Sequence, residues 1–264
     1  MKKVVLITGA SSGFGKQIAT LLSQEGHQVY GTSRKTVNEK LPYQMLVMDV
    51  TSSESIKKAV ETVYKKENRI DVLVNNAGMG IAGETEMTTE AEIHKIFDTN
   101  FFGMVNLTHE VLPIMRKQKE GLIINMSSLA GIFSIPFQTF YSATKFAIEG
   151  YSQGLRFELQ GSGIKLVLVN PGDYKTGFTG SRIFNERMGE NYEKFKDCLK
   201  IIEKDETGGA DPKKVAELIS KIIRNPNPKH RYLTGKFDQK LAVTVKNIVS
   251  PKMFFGIIKG HYGM

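Results

Sequence analysis

Cysteine is nearly missing from this sequence of 264 residues. The one present, Cys198, excludes an internal disulfide framework and suits a reducing compartment. No histidine lies near it in sequence, so a small packing residue is the plainer reading than a reactive thiol. Long apolar runs are also lacking, since nothing approaches the roughly 20 residues needed to cross a bilayer. Val4-Val5-Leu6-Ile7, after Met1-Lys2-Lys3, is too short for a signal-peptide core and ends in a glycine turn. A cytoplasmic chain is expected. The histidines, at 27, 94, 109, 230 and 261, show no zinc-like spacing with one another or with Cys198, so no metal is expected.

Acidic residues run short in one place. The formal net charge is +9, and residues 229–264 hold seven Lys or Arg against one acid, Asp238, so +6 of it lies there. A basic excess raises nucleic acid as a partner. The same segment is apolar, with Met253-Phe254-Phe255 and Ile257-Ile258, and carries no recognised nucleic-acid motif. No nucleic-acid partner is expected. A basic apolar tail over 229–264 can touch an anionic membrane surface, close over a substrate pocket, or pack on a second subunit.

What the chain does have is a regular alternation. Residues 3–7, 28–32, 44–48, 71–75, 122–126 and 165–170 read as strands, and 15–25, 53–66, 91–117 and 141–160 as helices. Within 53–66, Ile56, Ala59, Val60 and Val63 fall at i, i+3, i+4 and i+7, one face of a helix. Strands that are apolar throughout and separated by helices predict a parallel sheet covered on both faces. Right-handed crossovers make it a doubly wound, Rossmann-type α/β sheet. The composition, 41% hydrophobic and 24% charged, is that of an ordinary globular protein. Pro226-Asn227-Pro228 is a short break, but the residues beyond it are too few for a domain of their own. One domain over 1–264 is expected.

Thr8-Gly9-Ala10-Ser11-Ser12-Gly13-Phe14-Gly15 joins the first strand to the first helix. Glycines permit positive φ and close approach of the backbone to a pyrophosphate, whose charge the free N–H groups of a helix N-terminus bind. Glycines at 9, 13 and 15 match T-G-x-x-x-G-x-G rather than G-x-G-x-x-G. On this motif, and on those below, the chain resembles the short-chain dehydrogenase/reductase family. The resemblance implies a nicotinamide cofactor and hydride transfer between an alcohol and a carbonyl.

Cofactor choice follows from the second strand, Val29-Tyr30-Gly31-Thr32, which ends in Ser33-Arg34-Lys35. NAD selection uses an acid at such a strand end, on the ribose 2′-hydroxyl. Here Arg34 stands instead and can clamp a 2′-phosphate, so NADP(H) is expected. Asp49-Val50 resembles the family's adenine-contacting pair, although an Asp after a strand can equally cap the next helix. Asn75-Asn76-Ala77-Gly78 matches N-N-A-G, placing Asn76, Ala77 and Gly78 beside the cofactor. Pro171-Gly172 and Thr176 resemble the P-G-x-x-x-T segment that meets the nicotinamide amide.

Tyr141 and Lys145 form Y-x-x-x-K, and on a helix i and i+4 share a face. A free phenol, with pKa about 10, is a poor base at neutral pH, and a nearby ammonium favours its ionised form. The resemblance assigns Tyr141 the proton transfer and gives Lys145 a bond to the nicotinamide ribose. Ser128, thirteen residues before Tyr141, matches the family's catalytic serine, whose hydroxyl stabilises charge on the substrate oxygen. Asn100 matches the helix asparagine whose role there is to hold a water linked to the lysine, and a structural role is the alternative. Two other readings stand beside the enzyme. One is a non-catalytic NADP(H)-sensing protein, which need not keep all four residues. The other is a nucleotide-sugar epimerase or dehydratase, whose T-G-x-x-G-x-x-G spacing is absent.

Residues 173–210 are expected to form a substrate lid. There Phe178, Ile183, Phe184, Met188, Tyr192 and Phe195 could wall an apolar pocket or simply be core. A weaker likeness, through Arg231-Tyr232-Leu233-Thr234-Gly235-Lys236, is to the retinol and 17β-hydroxysteroid dehydrogenase-like subgroup, which implies a lipophilic alcohol or carbonyl substrate. The family also implies a homodimer or homotetramer that meets through the helices around 91–117 and 141–160.

Overall fold

Alternate side chains of a strand point to opposite faces of its sheet, and in this protein both sets are apolar. The computed structural model describes residues 2–177, 180, 182–184, 187 and 189–264. Its strands are β1 (Val4–Ile7), β2 (Gln28–Ser33), β3 (Gln44–Val47), β4 (Val72–Asn75), β5 (Ile81–Ala82), β6 (Gly121–Met126), β7 (Ile164–Pro171), β8 (Ile183–Phe184) and β9 (Arg231–Thr234). Seven of them make one sheet in the order β3-β2-β1-β4-β6-β7-β9, with every neighbouring pair parallel.

Val5, Ile7, Val72, Val74, Ile124 and Val167 face α1 (Gly13–Gln24) and its Ile18, Ala19 and Leu22. Val4, Leu6, Leu73, Ile123 and Leu166 face the other way. They pack on α2 (Ser53–Glu67), α4 (Gly103–Gln118) and α5 (Thr139–Glu158) through Ile56, Val63, Leu107, Val111 and Leu155. Each fully buried Leu, Ile or Val stabilises this sandwich by about 1.5–3 kcal/mol. The remaining helices are α3 (Glu90–Phe97), α6 (Tyr192–Thr207), α7 (Lys213–Arg224), α8 (Phe237–Ile248) and α9 (Pro251–His261). The doubly wound parallel sheet expected from the sequence is the fold.

Three features depart from the sequence reading. The helix expected over 91–117 is α3 and α4 joined by a wider π-type turn at Asp98–Phe102. That turn carries Asn100, whose amide is bonded to the backbone of Met79, an anchor that periodicity does not show. Second, residues 231–234 are not tail but β9, the edge strand on β7. Only half-buried and led by a charged residue, they lack the apolar run of a central strand. Third, β5 and β8 pair in parallel, Ile81 with Ile183 and Ala82 with Phe184, and so tie the segment expected to form a lid to the chain just beyond β4.

Polar residues inside the sandwich are bonded to one another. Asn75 and Asn125 lie in register on β4 and β6. The Asn75 amide donates to Asn125 Oδ1 at 2.9 Å and to Thr108 Oγ1 at 3.1 Å. Asn125 in turn donates to Ser152 Oγ at 2.9 Å. A buried polar group left without its partner costs about 1–3 kcal/mol. Asn125→Ala, which removes one of the two acceptors of the Asn75 amide and the donor to Ser152, should lower the unfolding free energy by about 2–4 kcal/mol. Urea denaturation with an unchanged m-value checks it.

Candidate active site

The strand order reverses between β1 and β4, and in open α/β sheets the crevice at such a switch point is where ligands bind. A cleft of about 620 Å³ opens at the carboxyl ends of these strands, within the usual span of small-molecule sites. Of the residues predicted to hold cofactor, all but Thr8 and Gly15 line it.

Those two act behind the wall. Thr8 is buried, and its Oγ1 accepts the N–H groups of Asn76 and Ala77 at 2.9 and 2.8 Å. The Asn76 amide returns a bond to Thr8 O at 2.8 Å and one to Gly9 O at 3.3 Å. A Cβ on Gly15 would meet Gly9 O at 2.2 Å and Asn76 Nδ2 at 2.6 Å. Gly15 therefore lets α1 pack against the turn. Gly9 (φ 67°) and Gly13 (φ 52°) use the left-handed conformation. A Cβ on Gly13 would make an ordinary contact with its nearest neighbour, Thr176 Cβ, 3.9 Å away.

The start of α1 fits a diphosphate. Ser12, its N-cap, makes no side-chain capping bond, and the first turn holds no acidic residue. By contrast α3 begins with a complete Thr89–Glu92 capping box. Unspent amide donors and the positive end of the helix dipole thus face the cleft from α1. At one end of the cleft Arg34 is exposed, and among the described residues it makes no ion pair. Asp49 does not cap the next helix, since the N-cap of α2 is Ser52. Asp49 lines the cleft, and its Oδ1 accepts from Thr51 N and Oγ1 at 2.9 and 2.8 Å, closing the turn before α2.

Ser128, Tyr141 and Lys145 meet at the other end. Ser128 follows β6, and its Oγ accepts from Ala130 N at 3.1 Å, while its hydroxyl also hydrogen-bonds the Tyr141 phenol. Lys145 Nζ lies 5.6 Å from the centre of the Tyr141 ring and donates to Met126 O at 2.9 Å. The shared face expected from the i, i+4 spacing is present. The expected electrostatic outcome is not. Burial pushes the Tyr141 phenol up to about 12, and the bond to Ser128 opposes this only in part. Burial likewise pushes Lys145 down to about 8 against the pull of Glu149. Desolvation is the largest effect on both groups.

Asn100 stands one layer back, outside the cleft wall. Its Oδ1 accepts from Met79 N at 2.8 Å, and its Nδ2 donates to Met79 O at 2.9 Å and Thr144 Oγ1 at 3.1 Å. It reaches Lys145 through Thr144, the preceding residue. A further chain supports Ser128: Asn170 donates to Ser128 O at 2.9 Å and to Glu149 Oε1 at 2.6 Å, and Glu149 is paired with Arg231 of β9. No motif marked Glu149 or Arg231 as a pair, because their contact spans 82 positions.

The lid end holds residues that the sequence reading missed. Asp173 and Glu206 both line the cleft. Burial, then Glu206 and Asp205, push the Asp173 carboxyl up to about 6. Asp173 directly follows Pro171-Gly172 and could have been suspected, whereas Glu206, on α6 and ion-paired with Arg182, belongs to no motif. Glu84 is buried and accepts from Gly189 N at 3.0 Å and Asn191 N at 2.7 Å, pinning the lid. Of the expected pocket wall, Ile183 lines the cleft, while Phe195 is buried against Phe137 and Tyr192 as core. Phe178 and Met188 lie outside the described residues. Cys198, fully buried and with its thiol raised to about 11 by burial, is packing.

Lys145 yields a test with a defined sign. Its folded pKa of about 8 lies below the unfolded value of 10.5, so the unfolded chain binds more protons between them. Stability should rise with pH across about 8 to 10.5 as the penalty on the buried ammonium disappears. Lys145→Met should erase that rise, worth up to roughly 3 kcal/mol, in parallel thermal denaturation series.

Known proteins are similar to this chain in sequence and fold. The short chain dehydrogenase family model matches residues 3–186. A 3-ketodihydrosphingosine reductase of Bacteroides thetaiotaomicron is 48% identical over 95% of this chain and 94% of its own. Retinol dehydrogenase 8 of Bos taurus is 33% identical over 88% of this chain and 81% of its own. The crystal structure of a short-chain dehydrogenase from Streptomyces avermitilis superposes with a TM-score of 0.86 at 33% identity, covering 94% of this chain and 93% of that one. The chain belongs to the short chain dehydrogenase family of oxidoreductases.

Proposed function

We propose that the protein is an NADP(H)-dependent reductase of a lipophilic ketone or aldehyde, which in the reverse direction oxidises the corresponding alcohol. The observation that carries this is the convergence of Ser128, Tyr141 and Lys145 on the same cleft as the uncapped start of α1 and Arg34, which makes no ion pair among the described residues. When bound, NADPH supplies the hydride. The chain's own groups handle the oxygen. Ser128 donates a hydrogen bond to the carbonyl, holding the charge that grows there. The Tyr141 phenol gives its proton to the same oxygen as general acid, and a phenol held high by burial is in the right form to do so. Lys145 would bond the nicotinamide ribose. Asn100 positions the helix through Thr144, and Pro171, Gly172 and Thr176 would border the nicotinamide.

Arg34 is the reason for NADP(H) over NAD(H): its guanidinium can hold a 2′-phosphate, and a neutral ribose offers no matching charge. The 3-ketodihydrosphingosine reductase and retinol dehydrogenase relatives support a lipophilic substrate. A homodimer or homotetramer fits the exposed Phe102, Phe146 and Phe157 along the outer side of the π-type turn and α5. Among the described residues no helix is long and apolar enough to cross a membrane, and cytoplasmic placement fits the single thiol.

Oxidation of NADPH and NADH should be followed with long-chain ketones, retinal, ketosteroids and small ketones. NADPH is expected to be preferred, and Arg34→Ala should lower kcat/KM for NADPH about 10- to 100-fold with little change for NADH. A clear NADH preference would overturn the role given to Arg34. Tyr141→Phe should lose about 10²- to 10⁴-fold in turnover, and unchanged turnover would remove the mechanism.

A further inference from the structure

Helices on a protein surface normally turn their apolar stripe inward. In α8 it faces out. Phe237, Leu241, Thr244 and Ile248, at i, i+4, i+7 and i+11, are all exposed, Phe237 and Ile248 to 77% each, and Val243 is the helix's one buried residue. The stripe continues on α9. Phe254 is buried there, while Met253, Phe255 and Ile257 are 60%, 70% and 48% exposed. Lys252 and Lys259, two turns apart, share the outer side of α9 with them, and Lys240 borders the stripe of α8. Residues 237–261 hold four lysines and one acid, Asp238.

The inner sides of both helices roof the substrate end of the cleft. Val243 packs with Leu129 and Ile132, just after Ser128. Gln239 Oε1 accepts from Asp173 N at 3.1 Å. The Phe254 ring stands 5.4 Å from that of Phe133, and His261 meets Asp205 of the lid helix at 2.9 Å. The outer face is thus the far side of the cover over the reacting end.

Exposed apolar side chains flanked by lysines complement an anionic bilayer, whose headgroups attract the cations while rings and aliphatic groups enter the acyl boundary. A second copy complements this face poorly, because a two-fold contact sets the lysine-rich patch against itself. We propose that the outer face of α8 and α9 docks on an anionic membrane surface, holding the substrate end of the cleft next to the phase in which a lipophilic ketone dissolves. The docking stands on this surface alone, and delivery of substrate rests on the lipophilic-ketone reading.

The test is co-sedimentation of the full chain with vesicles of phosphatidylcholine alone or mixed with phosphatidylglycerol. Binding is expected only to the anionic vesicles, and it should fall steeply with added salt. K240Q/K252Q/K259Q should weaken partition about fivefold per lysine removed, and F237S/I248S/F255S should abolish it. Both variants should keep wild-type kcat/KM on a small water-soluble ketone. No binding to anionic vesicles, equal binding to neutral ones, or full binding by either variant overturns the proposal. So does F237S/I248S/F255S lowering the native mass while wild type ignores vesicles, which marks a subunit contact. Vesicle binding by a protein that reduces no ketone would leave the docking in place and remove the reductase reading instead.

Discussion

The site depends on one seam, between the ends of β1 and β4. Thr8 Oγ1 accepts two backbone N–H groups from the β4 side, and Asn76 returns bonds to two carbonyls on the β1 side. The seam closes over Gly15, where any side chain would strike Gly9 O. With it in place, the first turn of α1 is aimed into the cleft and its amides stay unspent. Hydrophobic burial on the two faces of the sheet supplies the stability. The seam decides where the polar groups stand.

Charges are treated the same way throughout the interior: each is held against the preference for water by a bond to something fixed. Lys145 donates to Met126 O, and Glu149 bridges Asn170 and Arg231. Ion pairs that bury even one partner contribute little net stability once desolvation is counted. Their use here is positional, since the chain from Arg231 through Glu149 and Asn170 ends on the carbonyl of Ser128. A late edge strand thereby supports Ser128, the residue proposed to donate to substrate.

Much of this was legible in the sequence. The strands from β1 to β7 that build the sheet announced themselves as apolar runs, the glycine turn, Asn76 and Ser128 stand at the ends of those runs, and Tyr141 and Lys145 share one face of α5. Illegible parts share a cause: they are contacts between residues distant in sequence. β9 is short and half-buried, so it reads as tail until β7 is seen beside it. Glu206 comes from the lid helix with no motif to mark it. The tyrosine–lysine spacing correctly implied proximity, yet proximity alone did not set the phenol's ionisation. Burial did, in the opposite direction.

Proton transfer through Tyr141 is the central claim, and the pH dependence of alcohol oxidation tests it most directly. In that direction the phenol must first be ionised. The account predicts that log kcat/KM rises with pH at unit slope over a range where the fold is intact, and that Tyr141→Phe abolishes the rise. A profile that is flat from pH 6 upward, or a slope that survives in Tyr141→Phe, would contradict it.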